Sequence, residues 1–290
     1  MIRASRLGQL ALGLLVLVAG SASLPAVDIY VLTNNSDANN PPPTNFGKID
    51  STTGAYTNIA SFNLNLQSLA WGNSGQSMYV WDGTNGAFSS PMMTLTTGGT
   101  LSASIGMSKM PNGAAYRMTD STMYVIDIIS EKSSTVNLTN GVVSSLNSTT
   151  YPVNSPSGGA YAILNDTLYF AYGSYFSQGS GRFGTLGFGA GGTFSQLSAD
   201  PLYGKMNIVS DGTTLFGIYG NGSAGQQKLY TINPATGALT AGPTISGTGL
   251  GTYFHGAATV PVPEPSTYAL GAIATGVMAA IARRRKALKG

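Results

Sequence analysis

The sequence contains no cysteine and a single histidine. That excludes disulfide frameworks, Cys-ligated zinc and iron-sulfur sites, and thiol nucleophiles. His255 stands without a second imidazole or a thiol, so no triad is built around it, and it reads as a packed or surface residue. Charge is scarce as well: 9% of the 290 residues are charged, against about 25% in an ordinary soluble protein. Glycine is abundant, at 39 residues, and the chain is 42% hydrophobic and 9% aromatic with many Val, Ile and Tyr. Such a chain has enough apolar surface to bury a core, and its glycines punctuate it with turns, so the first expectation is a turn-rich β protein.

The formal net charge of +3 invites a nucleic-acid reading that the positions of the charges remove. Arg3 and Arg6 lie at the extreme N-terminus, and Arg283, Arg284, Arg285, Lys286 and Lys289 at the extreme C-terminus. Between residues 27 and 263 seven cations face ten acids, a balance of −3. A phosphate-binding face needs several clustered cations, so nucleic acid is excluded as a partner of the central body.

The two ends read as addresses. Arg3 and Arg6 precede an apolar run from Leu7 to Ala19, followed by small residues at Gly20 to Ser23; these are the three parts of a signal peptide. Cleavage fits after Ser23 or after Ala26, and the alternative is an uncleaved N-terminal anchor, for which the run is short of about 20 residues. At the other end Pro263, Glu264 and Pro265 precede a 17-residue apolar stretch from Ser266 to Ala282 and the cations Arg283, Arg284, Arg285 and Lys286. The stretch suits a transient transmembrane helix, with the cations holding its end on the cytoplasmic side. A plain membrane anchor is the alternative, although it has no need of helix-disfavouring prolines at this place.

This tripartite tail resembles the PEP-CTERM sorting signal of exported proteins in Gram-negative bacteria. The resemblance implies that an exosortase, a membrane cysteine protease, recognises Pro263, Glu264 and Pro265 and removes the tail. It also implies a mature form at the cell surface or outside the cell, in the company of exopolysaccharide or biofilm matrix. Signal peptidase and exosortase are then the processing partners, and the inner membrane is met only in passing.

The body repeats. An apolar-aromatic strand recurs with its aromatic at Tyr30, Tyr79, Tyr124, Tyr169 and Phe216, at separations of 49, 45, 45 and 47 residues. Periods of about 40 to 50 with several short strands per unit match the blades of a β-propeller. Each unit divides into strands a to d. Strand a is read in SLAW, AAYRM, GAYAI, NIVS and HGAAT, and strand d in YTNIASF, LSASI, VVSSL, FSQLS and LTAGPTI. The last a strand, His255 to Thr259, lacks a following b strand, and the first b strand, Asp28 to Leu32, lacks a preceding a strand. The sequence therefore predicts an all-β fold: residues 1–26 a signal peptide, 27–260 a five-bladed propeller closed by pairing of its N- and C-terminal strands, and 261–290 the sorting signal. A two-sheet sandwich is the alternative.

In a meander the a-to-b and c-to-d turns share one face, and here they are short. The other face carries Asn34 to Asn45, Ser148 to Ser157, Gly173 to Gly181 and Gly220 to Gln227, loops longer than a scaffold needs. Tyr151, Tyr175, Phe176, Tyr203 and Tyr253 gather there, and flat rings beside amides and hydroxyls suit uncharged sugars; the same rings also suit caps on the core between blades. Asp82 and Asp127 hold matching places three residues after the strand b aromatic, as solvated strand ends or as a pair for a cation or a sugar hydroxyl. Some five-bladed propellers that this fold resembles are glycosidases, but Asp120, Asp166 and Asp211 fall in a-to-b turns and Asp50 beside a c-to-d turn, where Asp serves local hydrogen bonding, and Glu131 lies in a polar loop. The expectation is a non-catalytic surface or matrix protein with no cofactor or metal, contacting exopolysaccharide or a surface partner; a secreted carbohydrate-active enzyme is the alternative.

Overall fold

A computed structural model describes residues 26–260 apart from 36–42, 73–76, 85–89, 103, 108–110, 128–131, 147–158, 174–180, 190–191 and 221. The strands, in chain order, fall into five antiparallel sheets. The first blade holds β1 (Asp28–Asn34), β2 (Thr44–Asp50) and β3 (Tyr56–Phe62), and the second β4 (Leu66–Trp71), β5 (Ser77–Asp82) and β6 (Met92–Thr96). The third holds β7 (Pro111–Arg117), β8 (Thr122–Asp127), β9 (Lys132–Val136) and β10 (Val143–Ser145). The fourth holds β11 (Gly159–Leu164), β12 (Thr167–Tyr172), β13 (Arg182–Leu186) and β14 (Phe194–Ser198). The fifth, entered through a one-turn 3-10 helix (Pro201–Lys205), holds β15 (Met206–Ser210), β16 (Leu215–Tyr219), β17 (Lys228–Ile232) and β18 (Leu239–Thr244). The last strand, β19 (Tyr253–Thr259), returns to the first sheet and pairs with β1, from Ile29↔Thr259 to Asn34↔Tyr253. The chain is thus a five-bladed β-propeller whose first blade is completed by its two ends, a closure that removes the sheet edges an open ring would expose.

The a and b strands lie where the sequence repeats place them. The second blade departs from expectation: its sheet has three strands, and the LSASI segment joins it through the isolated bridges Leu95↔Leu101 and Met92↔Ile105 and through hydrogen bonds between Ser102 and Thr94. That segment alternates serine with single apolar residues, whereas the third blade's edge strand opens on the adjacent β-branched pair Val142 and Val143.

Turn chemistry explains the regularity of the blades. At the c-to-d turns Asp50, Asn137 and Asn233 each accept two backbone N–H bonds on the side-chain oxygen, as from Thr52 and Thr53 to Asp50 Oδ1 at 2.9 and 2.8 Å. The fifth turn residue is Gly54 at φ +73° and Gly237 at φ +67° in the first and fifth blades, the left-handed conformation that glycine adopts without penalty. These turns also dock on the next blade: a β-carbon at Gly54 would meet the Thr244 carbonyl oxygen at 2.4 Å. In the a-to-b turn of the fourth blade Asn165 and Asp166 are both left-handed, at φ +49° and +57°, as a two-residue hairpin loop requires.

Packing is radial. Five apolar clusters fill the five blade junctions, for example Tyr30, Leu32 and Phe46 against Leu66, Leu69 and Val80 between the first and second blades, and Tyr169 and Phe183 against Tyr203, Met206 and Ile208 between the fourth and fifth. The innermost strands β19, β4, β7, β11 and β15 contact one another in sequence around a closed ring. Of these, β7, β11 and β19 are rich in Ala and Gly, which lets their backbones approach the common axis closely.

Candidate functional site

The inner strands enclose a central cavity of about 540 Å³, within the range of small-ligand sites. All five inner strands line it: Leu69 to Trp71, Ala114 to Arg117, Tyr161 to Ile163, Val209 and Ser210, and Ala257 to Thr259. Met118, Thr119, Asn165, Asp166 and Gly212 complete the lining, and all of them belong to a-to-b turns. The cavity therefore reaches the surface on the short-turn face, opposite to the face that loop length singled out.

Its wall is apolar, and its rim mixes aromatic with polar groups. Trp71 and Tyr116 are half-buried, and Met118 is 70% exposed. Trp71 leans on Tyr30 with ring centroids 6.4 Å apart. The rim also carries a charged clamp. Arg117 donates from Nε and Nη2 to the two carboxylate oxygens of Asp166 at 2.7 and 2.6 Å, and from Nη1 to Asp120 at 2.9 Å. Thr119 donates to the same Asp166 carboxylate at 3.0 Å, and the Arg117 guanidinium lies 4.0 Å over the ring of Phe188. The clamp ties the third blade to the fourth by a two-toothed hydrogen-bonded pair, the strongest geometry an Arg offers.

The Arg117 hydrogen bonds hold the Asp166 carboxyl below its usual range and raise the guanidinium above its own. A depressed folded-state value means that the contribution of Asp166 is present above the ordinary carboxylate range and is lost as pH falls through the folded value. In a carboxyl NMR titration Asp166 is expected to titrate below the ordinary value of about 3.9, and Arg117→Ala is expected to bring the midpoint back up. An unchanged midpoint in that variant would disprove the coupling.

The residues singled out in the sequence are not all brought together here. Tyr203 is 1% exposed. Its ring stacks on Phe183 at 4.9 Å, its hydroxyl donates to the Gly237 carbonyl at 2.7 Å, and burial pushes that hydroxyl well above the usual tyrosine range. It is a core cap, not part of an exposed platform, because the 3-10 turn beginning at Pro201 folds its side chain under the fifth blade. Tyr253 is half-buried with its ring against the turn at Gly222. Tyr151, Tyr175 and Phe176 lie outside the described residues, as do Pro263, Glu264 and Pro265, the cations Arg283, Arg284, Arg285 and Lys286, the signal peptide and the C-terminal apolar helix.

Asp82 is buried, and its Oδ1 accepts from the Thr84 backbone at 2.9 Å and from the Thr84 hydroxyl; it closes its own turn. Asp127 ends β8 as Asp82 ends β5, each opposite the first residue of its inner strand. His255 sits at the irregularity in the β1–β19 pairing, with Nε2 2.8 Å from Asn34 Oδ1. Among the described residues no group of three His, Cys, Asp or Glu is placed to hold a metal ion, and no helix is long and apolar enough to cross a membrane. Loop length in the sequence does not mark Trp71, Tyr116, Arg117, Met118 and Asn165, because they stand in or beside short turns. The available signal was the solitary Arg117, one of few cations in the body, at the end of an Ala-rich inner strand.

Residues 261–286 match the PEP-CTERM protein-sorting motif, which implies an exported protein sorted by an exosortase. No curated protein sequence matches the chain. In three dimensions it is similar to a chain in the crystal structure of a nidogen/laminin complex, at 9% identity and a TM-score of 0.50, over 81% of this chain and 98% of that one. It is also similar to an alpha-L-arabinofuranosidase from Clostridium thermocellum (13% identity, TM-score 0.48, 78% and 96% covered). TolB from Acinetobacter baumannii is a further similar structure (15% identity, TM-score 0.46, 74% and 52% covered). At such identities the likeness is one of fold.

Proposed function

We propose that the mature protein is a cell-surface or matrix component that binds uncharged exopolysaccharide at the mouth of its central cavity without cleaving it. The observation that carries the non-catalytic reading is the fate of the acids whose side chains the structure describes. Asp50, Asp82 and Asp211 accept bonds within their own turns, and Asp200 caps the 3-10 helix at Leu202. Asp28 pairs with Lys48 at 2.7 Å, and Asp120 and Asp166 share Arg117. Glycoside cleavage asks for two carboxyls about 5 to 9.5 Å apart, one of them held protonated; Asp166, on the cavity rim, is instead held ionised by its partner.

Uncharged saccharide fits the rim because Arg117 is already neutralised, while the half-exposed rings of Trp71 and Tyr116 offer apolar faces beside the hydroxyls and amide of Thr119, Ser210 and Asn165. Mature protein recovered outside the cell is expected to retain neutral exopolysaccharide equally at low and high salt, since screening weakens only charge-driven contacts, and to release no new reducing ends. Appearance of reducing ends would establish the carbohydrate-active alternative. Loss of retention at high salt would reject the uncharged-ligand reading.

A further inference from the structure

The cavity occupies one end of the hub. Its lining begins at Leu69, Ala114, Tyr161, Val209 and Ala257 and runs to the short-turn face, a depth of two to four residues on each inner strand, or roughly 7 to 13 Å at about 3.3 Å per residue. Below those residues the inner strands are drawn together. Ser68 Oγ donates to the Pro111 carbonyl at 2.7 Å, linking β4 to β7, and Asn207 Nδ2 donates to the Phe254 carbonyl at 2.8 Å, linking β15 to β19. A β-carbon at Gly256 would lie 2.5 Å from Leu69 N, so β19 and β4 also meet there backbone to backbone. The cavity is therefore a well entered from the short-turn face. It takes the end or a pendant group of a ligand, not a chain running through the hub.

The chemistry of the wall says which group. Arg117 and Asp166 are the charged residues of the lining, and they pair with each other at the rim. The Tyr161 hydroxyl is hydrogen-bonded to Ser133, and the Thr259 hydroxyl donates to the Ser210 carbonyl. Deeper in, the lining includes Ala70, Ala115, Ala162, Ala257 and Ala258. A sugar ring carries hydroxyls around its edge, and a hydroxyl buried without a partner is costly; the ring itself belongs at the rim, on the faces of Trp71 and Tyr116. Yet each inner strand is paired along one edge only, and an unpaired edge presents backbone N–H and C=O groups. The group that fits is small and uncharged, with a methyl for the alanine wall and one donor and one acceptor for the strand edges. An acetamido group has all of these; a hydroxyl lacks the methyl, and an acetyl ester lacks the donor.

We propose that the polysaccharide is recognised through an N-acetylated amino sugar, its acetamido group seated in the well and its ring held at the mouth by Trp71 and Tyr116. The inference rests on the saccharide reading for its class of ligand and adds the substituent that makes binding selective. Because the well is blind, one sugar unit enters it and the rest of the polymer lies across the short-turn face.

The β-1,4-linked tetrasaccharides of N-acetylglucosamine and of glucose differ only in the acetamido group of each ring. Calorimetry on the mature protein recovered outside the cell is expected to give a Kd at least tenfold lower for the acetamido sugar, a ratio worth about 1.4 kcal/mol. In saturation-transfer NMR the acetyl methyl is expected to receive more signal than any ring proton. The chain has two tryptophans, of which Trp81 is 0% exposed, so the change in indole emission on binding reports Trp71. Trp71→Phe is expected to abolish that change and to keep the methyl signal. Equal affinity for the two sugars, transfer centred on the ring protons, or binding with no change in emission overturns the inference. If neither tetrasaccharide binds while neutral exopolysaccharide is still retained, the acetamido inference falls and the saccharide reading stands; if retention is lost too, both fall. Retention on isolated peptidoglycan, whose glycan bears the same acetamido group, in place of exopolysaccharide keeps the inference and overturns the matrix as the source of the ligand.

Discussion

Removing Tyr253–Thr259 from the mature chain is expected to abolish its cooperative thermal transition and not merely to lower the midpoint. This strand pairs with β1 along six positions and touches two other blades. Asn207 donates to the Phe254 carbonyl at 2.8 Å, and the Gly256 backbone lies so close to the second blade that a β-carbon there would sit 2.5 Å from Leu69 N. Its loss opens Ile29, Val31 and Leu32, each 0% exposed. At about 1.5 to 3 kcal/mol per buried side chain, that exposure alone is comparable with the roughly 5 to 15 kcal/mol that holds a domain folded. The break in the ring also removes the partner edges of β4 and β15. A milder probe is Gly256→Val, which overpacks backbone against backbone and is expected to cost at least about 1 to 3 kcal/mol. Circular dichroism melts check both, and a truncated chain that still melts sharply within a few degrees of the intact one would refute the clasp.

Tyr203→Ala is expected to destabilise the protein by about 3 to 5 kcal/mol, the cost of deleting a large buried side chain whose site cannot collapse. The ring is sandwiched in the junction of the fourth and fifth blades, stacked on Phe183, which itself stacks on Tyr169 at 5.6 Å. Tyr203→Phe keeps the ring and removes only the bond to the Gly237 carbonyl, at an expected cost of about 1 kcal/mol. The pair of variants separates packing from hydrogen bonding in urea titrations with matched slopes. A change below about 1 kcal/mol for Tyr203→Ala would assign the residue to the surface.

Tyr203 shows why the ligand face was the least legible part of the sequence. In the linear chain it sits among loop residues with Asp200 and Pro201, and nothing local distinguishes an aromatic that caps a junction from one that waits for a sugar. The outcome depends on Phe183 and Gly237, which come from two other elements. Arg117 is the converse case: the sequence places it at a strand end beside a tight turn, and only the neighbouring blade supplies Asp166 and Phe188.

The blade count, the order of strands and the clasp followed from the sequence by itself, because each is written in local terms. A strand needs its own alternation, a turn its own Asp or Asn and Gly, and a repeat its own spacing; the orphaned first and last strands then have one way to complete each other. Loop length likewise marked one face, but it measures how far the chain travels and not where space remains. Where the cavity opens, which acids are already engaged, and that the last strand ends at the hub with Thr259 were decided only by the ring. Closing five blades on one axis brings together residues separated by as much as the length of the body, and no local pattern encodes those distances.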